Sequence, residues 1–245
     1  MNPQELVAVA CPKISTMGWA FYFVPGTFAR GEELGLDGIS FYVLGRGGVL
    51  GDVESSVIAS AFGYFNPTLV AAMWDAARKV VAPRAAGRAY MECCADFGRA
   101  TFGEVKDLDA FCQAAGAVND AADPVGLALY AGIAAEPLAD DAPGRAMQLV
   151  SVLREFRGGA HLIALRASGL DAKTAHHIHR PDDGALFGWS EDDAPTITAE
   201  DRATWAIAEQ LTDRIVLPAY AVLDETGRQA LVSGLEAMES ALAPA

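Results

Sequence analysis

The sequence predicts a mainly α-helical protein, folded as a multi-helix bundle. Alanine, the strongest helix former, is concentrated in runs such as VAAMWDAARKVV and ALRASGLDAKTA. Hydrophobic residues make up 52% of the 245 residues, which is typical of a globular chain with a buried core. Helix-starting and helix-ending residues follow one another along the chain, so the helices can be assigned in order.

The first half begins with an aromatic and glycine-rich stretch. Residues 17–50 predict irregular structure and short helices, with a short strand at residues 39–44. Asn66 and Pro67 provide an N-cap and a first-turn proline for a helix that Pro83 is expected to end. Four helices are predicted after the aromatic stretch, at residues 53–64, 68–81, 84–101 and 107–121.

The second half predicts five helices, at residues 143–156, 161–167, 171–179, 199–217 and 225–242. Gly158 and Gly159 are expected to stop the first of these, and Pro218 is expected to break the fourth. Thr198 and Asp201 form a capping pair at the start of the fourth. We therefore divide the chain into an N-terminal helical portion, residues 1–140, and a C-terminal helical portion, residues 141–245.

The segment at residues 153–180 differs from the rest of the chain in charge. It contains all four histidines and five basic residues against two acidic ones, in a chain of net charge −14. Two short helices joined by a turn with Gly169 match the lengths of a helix-turn-helix. In a DNA-binding version, Lys173, His177 and Arg180 would face the nucleic acid. The acidic remainder weighs against DNA and against anionic membranes, because phosphate affinity depends on Lys and Arg.

Arg46 is the first candidate for ligand binding. It lies in the glycine-rich stretch FYVLGRGGVLG beside Tyr42, where a guanidinium could hold a carboxylate or phosphate with two hydrogen bonds. The alternative is a solvent-exposed arginine. The stretch also resembles a dinucleotide-binding loop, but Leu50 stands where that fingerprint needs glycine. We therefore expect no cofactor.

His161 is the candidate acid or base, because it lies apart from the other histidines and beside an arginine-rich turn. The alternative is a hydrogen-bonded residue at the start of a helix. His176 and His179 share a helix face and could offer two imidazoles to a metal ion. No cysteine or acidic residue stands at a recognisable ligand spacing, so no metal site is expected.

The cysteines show no CxxC spacing, and the sequence has no secretory segment or bilayer-spanning run, which predicts a reduced, cytoplasmic protein.

Six stretches carry a resemblance to a known family: residues 33–38, 41–53, 57–70, 152–175, 186–192 and 197–223. In the second of these, the shared pattern is an aromatic pair, then Arg46, then Leu-Gly. The chain resembles a family of actinobacterial helix-turn-helix proteins, mostly uncharacterised and related to MarR-type winged helices. This resemblance implies that the C-terminal portion is a winged helix.

The chain departs from that family after Trp189. The family continues into a long helix and a winged hairpin, whereas only SEDDAPTI, residues 190–197, stands here. Residues 181–245 also carry 13 acidic residues against three arginines. A winged helix uses its wing on the DNA backbone. The resemblance thus implies a degenerate winged helix with a shortened wing, whose role in DNA binding has lapsed.

Our leading hypothesis is a protein that binds a small, partly aromatic or anionic molecule between the two portions. The residues expected to line the site are Tyr42, Arg46, Arg157, His161 and Trp189. In a cofactor-free enzyme of specialised metabolism, His161 would be the acid or base, and Arg46 or Arg157 would hold an anionic group. The alternative hypothesis is a ligand-responsive transcriptional regulator, expected to be a homodimer, that binds DNA.

Overall fold

Helix α9, Ala142–Ser168, lies at the centre of the protein and packs against six other helices, α1, α6, α7, α8, α10 and α11. The computed structural model describes residues 1–243, and it contains α-helices, two 3-10 turns and no strand within that range. The mainly α, multi-helix prediction is therefore confirmed. The remaining helices are α1 (Pro3–Met17), α2 (Pro25–Glu33), α3 (Gly38–Gly48), α4 (Ser55–Phe62), α5 (Pro67–Ala77), α6 (Pro83–Phe102), α7 (Leu108–Ala121), α8 (Ala128–Ala134), α10 (Ala172–His179), α11 (Ala199–Tyr220) and α12 (Glu225–Leu242).

The predicted stop at Gly158 and Gly159 is wrong, because α9 continues through both glycines to Ser168. Each glycine costs a helix about 1 kcal/mol relative to alanine. Burial of α9 between neighbouring helices outweighs that cost, and a Cβ at Gly159 would lie only 3.0 Å from Leu127. His161 is consequently a buried residue in the middle of a long helix rather than a residue at a helix start.

The predicted strand at residues 39–44 is also wrong, because these residues belong to α3. Asp37 caps this helix by accepting a hydrogen bond from the backbone N–H of Ser40. Four consecutive residues of α3, from Phe41 to Leu44, are buried. An apolar run that is buried on all sides has no amphipathic period, so the sequence alone does not separate helix from strand there.

The two predicted proline boundaries also differ from the structure. Helix α5 ends at Ala77, and Pro83 instead occupies the first turn of α6, where a proline needs no N–H partner. Pro218 lies inside α11, which runs on to Tyr220. By contrast, the caps at Asn66 and at Thr198 with Asp201 are confirmed.

The described part of the chain contains two groups of buried apolar side chains. The larger one includes Trp74 and Tyr220 and is built mainly from α1, α3, α4, α5, α6, α7, α8, α9, α11 and α12. The smaller one joins the end of α9 to α10 and α11 through Ala164, Leu165, Leu170, Ala175 and Ala208. Helix α1, from the N-terminal portion, packs against α9, α11 and α12 of the C-terminal portion. The two portions are therefore in contact, and the division at residue 140 stays a prediction.

The helix-turn-helix is formed by the end of α9, a turn and α10. Gly169 adopts a left-handed conformation (φ 82°) that ends α9, and Asp171 caps α10 by accepting from the N–H of Thr174. The predicted end of α10 at Arg180 is confirmed, since Arg180 is its C-cap. The segment between α10 and α11 holds two 3-10 turns, Gly184–Phe187 and Glu191–Asp193. Among the described residues, no helix is both long and apolar enough to cross a membrane.

Candidate functional site

Helix α9 carries a row of polar residues that are unusual in a buried helix. Arg154, Arg157 and His161 recur at spacings of three and four residues, which places them on one face. Glu155 lies beside them and is 3% exposed, and His161 is 4% exposed. Buried charged or polar side chains need partners, so each end of this row is part of a polar cluster.

The first cluster, which we call the arginine–tyrosine cluster, consists of Tyr22, Tyr42, Arg46, Arg154 and Glu155. Arg46 donates two hydrogen bonds to the Glu155 carboxylate, from Nε (3.0 Å) and Nη2 (2.7 Å). Arg154 Nη1 donates to Glu155 Oε1 (2.8 Å) and to the Tyr22 hydroxyl (3.1 Å). Tyr22 in turn donates to Glu155 Oε1 (3.1 Å).

These contacts keep the Glu155 carboxylate charged. Burial alone would raise its pKa, but Arg46 and Arg154 together more than offset burial and lower the pKa to about 2. The Arg46 guanidinium also lies over the Phe62 ring, 4.4 Å from its centre. The cluster therefore holds two guanidinium groups against one carboxylate, which is an excess of one positive charge.

The second cluster, which we call the histidine–aromatic cluster, consists of Tyr64, His161, Trp205 and Thr212. The His161 ring lies 4.8 Å from the Trp205 ring and 6.4 Å from the Tyr64 ring, between centroids. Tyr64 follows Gly63, where a Cβ would lie only 2.4 Å from the Leu162 side chain of α9. The close approach that glycine permits here brings the Tyr64 ring against His161.

Hydrogen bonding fixes the proton on His161. Its Nδ1 lies 2.8 Å from Thr212 Oγ1, which lies 2.7 Å from the carbonyl oxygen of Ala208. A hydroxyl has one hydrogen, and a carbonyl oxygen only accepts, so Thr212 donates to Ala208 and accepts from His161. Nδ1 therefore carries the proton and Nε2 carries the lone pair. That Nε2 is buried and has no hydrogen-bond partner among the described residues.

The surroundings also keep the His161 ring neutral. Burial lowers its pKa to about 4, although the Glu209 carboxylate, 3.5 Å from Nδ1, acts in the opposite direction. Glu209 also accepts a hydrogen bond from Arg157 Nη2 (2.6 Å). At neutral pH the cluster thus holds an unprotonated imidazole nitrogen that is buried beside aromatic side chains.

The structure brings some of the predicted ligand-binding residues together. Tyr42 and Arg46 are neighbours at 3.3 Å, and Arg157 and His161 share the partner Glu209. Trp189 is linked to the second pair through Tyr64, since its Nε1 donates to the Tyr64 carbonyl oxygen (2.9 Å). Both predicted anion-holding arginines, Arg46 and Arg157, already form ion pairs within the protein.

Residues 181–197, which we call the connecting segment, pack against ring side chains of the α4–α5 turn and of α10. Phe187 stacks on Phe65 with ring centroids 4.2 Å apart and contacts the His176 ring at the same distance. Asn66 holds the segment by donating to the carbonyl oxygens of Phe187 (backbone N–H, 2.8 Å) and Gly188 (side chain, 2.9 Å). The segment therefore packs on the α4–α5 turn through both rings and backbone hydrogen bonds.

The three predicted DNA-binding residues make contacts within the protein. Lys173 Nζ lies 4.9 Å from the centre of the Trp189 ring, and His177 Nδ1 lies 2.8 Å from the Lys173 carbonyl oxygen. Arg180 contacts Asp183 at 3.5 Å and lies over the Trp19 ring, 6.0 Å from its centre. Each of these side chains is only partly exposed.

The two histidines considered for a metal point to different neighbours. His176 packs on Phe187, whereas His179 stacks on Trp205 with ring centroids 5.6 Å apart. Within residues 1–243, no group of three or more His, Cys, Asp or Glu side chains is arranged to hold a metal ion. A surface recess of about 370 Å³ lies elsewhere and is lined by Glu92, Asp96, Pro137 and Gln148 among others.

Several residues of both clusters were missed by sequence reasoning. Glu155 and Arg154 carried a usable signal, since two charges interrupt the apolar run VSVLREF of a buried helix. Tyr64 and Thr212 carried no local sequence signal, because their roles depend on residues far away in the chain. Thr212 lies one turn after Ala208 on α11, and its hydroxyl reaches His161 across 51 positions.

A family model described as a helix-turn-helix family matches residues 10–245. No curated protein and no solved structure matches the chain. The match extends over nearly the whole sequence and agrees with the helix-turn-helix formed by α9, Gly169 and α10. The chain belongs to this helix-turn-helix family.

Proposed function

We propose that the protein binds a small molecule with an aromatic ring, in the space where the histidine–aromatic cluster meets the connecting segment. The observation that carries the proposal is the buried Nε2 of His161, which has no partner among the described residues. A buried polar atom without a partner costs roughly 1–3 kcal/mol. A bound O–H or N–H group would supply the missing hydrogen bond.

The neighbours of His161 define the kind of molecule that fits. Trp205 meets the imidazole in an edge-to-face arrangement and Tyr64 stacks parallel to it, and these aromatic neighbours favour a flat, apolar body with one polar hydrogen. Entry would require the connecting segment to move, because Phe187 and Trp189 pack inward from it. In an enzymatic version without a cofactor, Nε2 would take the proton from the bound hydroxyl or amine.

Binding of phenolic probes tests this proposal. We expect 3-(4-hydroxyphenyl)propanamide to bind, and ligand-observed NMR or calorimetry would measure its Kd. Replacing His161 by Leu removes the acceptor, so affinity should fall about tenfold or more. His177→Leu is the matched control, because His177 contacts the Lys173 carbonyl outside the cluster. Equal affinity for the wild type and His161→Leu would contradict the proposal.

A second candidate function is a ligand-responsive regulator that binds DNA, which membership of a helix-turn-helix family favours. It requires Lys173 and Arg180 to leave Trp189 and Asp183 in order to reach phosphates. Gel-shift titrations against the promoter region upstream of the coding sequence would test it at low salt. A complex that weakens in Lys173→Gln and Arg180→Gln variants would support this function, and no shift at about 50 mM salt would exclude it.

A further inference from the structure

We propose that the arginine–tyrosine cluster is a subsite for a monoanionic group, a carboxylate, on the molecule that His161 contacts. Arg154 would hold this group through the edge of its guanidinium that faces away from Glu155. The inference rests on the proposed function, because it places the anionic end of the same ligand. It specifies the chemical class of the ligand, an aromatic acid with a polar hydrogen, for a site otherwise defined only by His161.

The charge of the cluster favours a carboxylate ligand. Glu155 is 3% exposed and Arg46 is 11% exposed at their side chains, and Arg154 completes the set at 24%. Two positive groups around one carboxylate leave an excess of one positive charge, and Arg154, the most exposed of the three side chains, is the group without a counter-charge of its own. A partly buried positive charge that lacks a counter-charge favours a ligand group that supplies one. One unit of excess matches a carboxylate rather than a doubly charged phosphate.

The balance of hydrogen-bond donors and acceptors favours the same ligand. The Glu155 carboxylate already accepts from Arg46 twice, from Arg154 and from Tyr22. Arg154 uses only Nη1, and its Nε and Nη2 donate to no residue in the described part of the chain. Tyr42 accepts from Arg46, and its own hydroxyl hydrogen likewise has no acceptor among the described residues. The cluster thus has donors without acceptors, and its one carboxylate already accepts four hydrogen bonds.

The position of Arg154 lets one ligand reach both clusters. Its stem passes directly over Gly18, where a Cβ would lie 2.6 Å from Arg154 Cδ, so glycine is needed for this path. The guanidinium lies over the Tyr22 ring, 5.4 Å from its centre. Arg154 and His161 lie on one face of α9, two turns or about 10 Å apart along the axis. An aromatic acid of about that length would contact both residues in the proposed complex.

A matched pair of probes tests the subsite: 3-(4-hydroxyphenyl)propanoate and its uncharged amide. We expect the acid to bind wild-type protein about tenfold more tightly than the amide, because charged hydrogen bonds are the stronger ones. Arg154→Met should reduce this preference to about twofold or less, and Arg154→Lys should retain part of it. Arg99→Met is the control, since Arg99 pairs with Asp96 and Asp141 on the surface. Calorimetry gives each Kd, and circular dichroism verifies that each variant is folded.

Each outcome separates the subsite from the proposed function. Equal binding of acid and amide, both lost in His161→Leu, overturns the subsite and keeps the proposed function. A preference for the acid that needs Arg154 but not His161 keeps the subsite and overturns the proposed function. A preference that survives Arg154→Met places the anion elsewhere and overturns the subsite. Absence of binding by both probes overturns both.

Discussion

The two polar clusters on α9 lie two helical turns apart and lack opposite hydrogen-bonding partners, acceptors in one and a donor in the other. The arginine–tyrosine cluster is charged, and its four bonds to Glu155 leave donors without acceptors. The histidine–aromatic cluster holds a neutral ring, and its Nε2 is an acceptor without a donor among the described residues. A ligand that suits both carries an anionic acceptor at one end and a polar hydrogen at the other.

The difference also shows how each cluster is maintained. Charge interactions hold the first cluster together, so removing its carboxylate should strongly lower the stability of the protein. A hydrogen bond and ring packing hold the second cluster together, since the Thr212 hydroxyl orients the imidazole between two aromatic rings. Substitutions that change charge should therefore affect stability strongly in the first cluster, and substitutions that change hydrogen bonding should affect the second more mildly.

Glu155→Gln is expected to have the largest effect. It leaves Arg46 and Arg154 without a counter-charge in a buried place, which should lower the free energy of unfolding by about 3–5 kcal/mol. Urea denaturation followed by circular dichroism measures this change. The control Glu239→Gln, on the surface of α12, should change stability by less than about 1 kcal/mol. A loss below about 1 kcal/mol for Glu155→Gln would mean that the cluster is not held by charge.

Acid should destabilise the protein through the histidine–aromatic cluster. The pKa of His161 is about 4 when folded and near 6.5 in the unfolded chain, so the unfolded state binds more protons between these values. Stability should therefore fall as the pH drops from about 6.5 to about 4, by up to about 3 kcal/mol for this residue. Burial lowers the pKa of His176 to about 4 as well, so it contributes in the same window.

His161→Gln should remove its share of that pH dependence, and the slope should fall further in the double variant with His176→Gln, leaving a contribution from His179, whose pKa burial also lowers. Urea denaturation at half-unit steps across the window between the folded and unfolded pKa values measures the slope. An unchanged slope in both variants would show that these imidazoles are not held neutral by burial.

Thr212→Val should have an intermediate effect. The substitution keeps the shape of the side chain and removes the acceptor for Nδ1–H of His161, at a cost of about 1–2 kcal/mol. It should also release the ring to exchange its proton between the two nitrogens. Thr204→Val is the control, because Thr204 is a partly exposed threonine on the same helix. Chemical denaturation gives the stability, and equal losses in the two variants would contradict the role assigned to Thr212.

Arg154→Met is expected to have the smallest effect on stability. It removes the excess positive charge while Arg46 still pairs with Glu155, so the loss of the two Arg154 hydrogen bonds, to Glu155 and Tyr22, is offset by lower desolvation of charge. We expect a change within about 1 kcal/mol by thermal unfolding. A loss comparable to that of Glu155→Gln would show that Arg154 stabilises the fold rather than standing ready for an anion.

Sequence reasoning succeeded where the signal was local. Alanine content, the N-cap at Asn66 and the pair Thr198 and Asp201 act within a few residues, and the structure confirms the helices that they start. It failed where packing overrides local preference. Gly158 and Pro218 lie inside helices because neighbouring elements bury those helices.

The candidate site was predictable only in part. Arg46 and His161 stood out by residue type and setting, and each belongs to one of the two clusters. Their partners were not predictable, because Glu155 lies 109 positions from Arg46 and Thr212 lies 51 positions from His161. Folding alone brings such distant residues together, and no local pattern encodes the pairing.

His161 presents an unprotonated Nε2 to the protein interior. Long-range ¹H–¹⁵N correlation spectra of the histidine side chains at neutral pH test it directly, with His161→Gln providing the assignment. We predict a neutral ring with its proton on Nδ1, held by Thr212. A proton on Nε2, or a doubly protonated imidazolium at neutral pH, would contradict the claim.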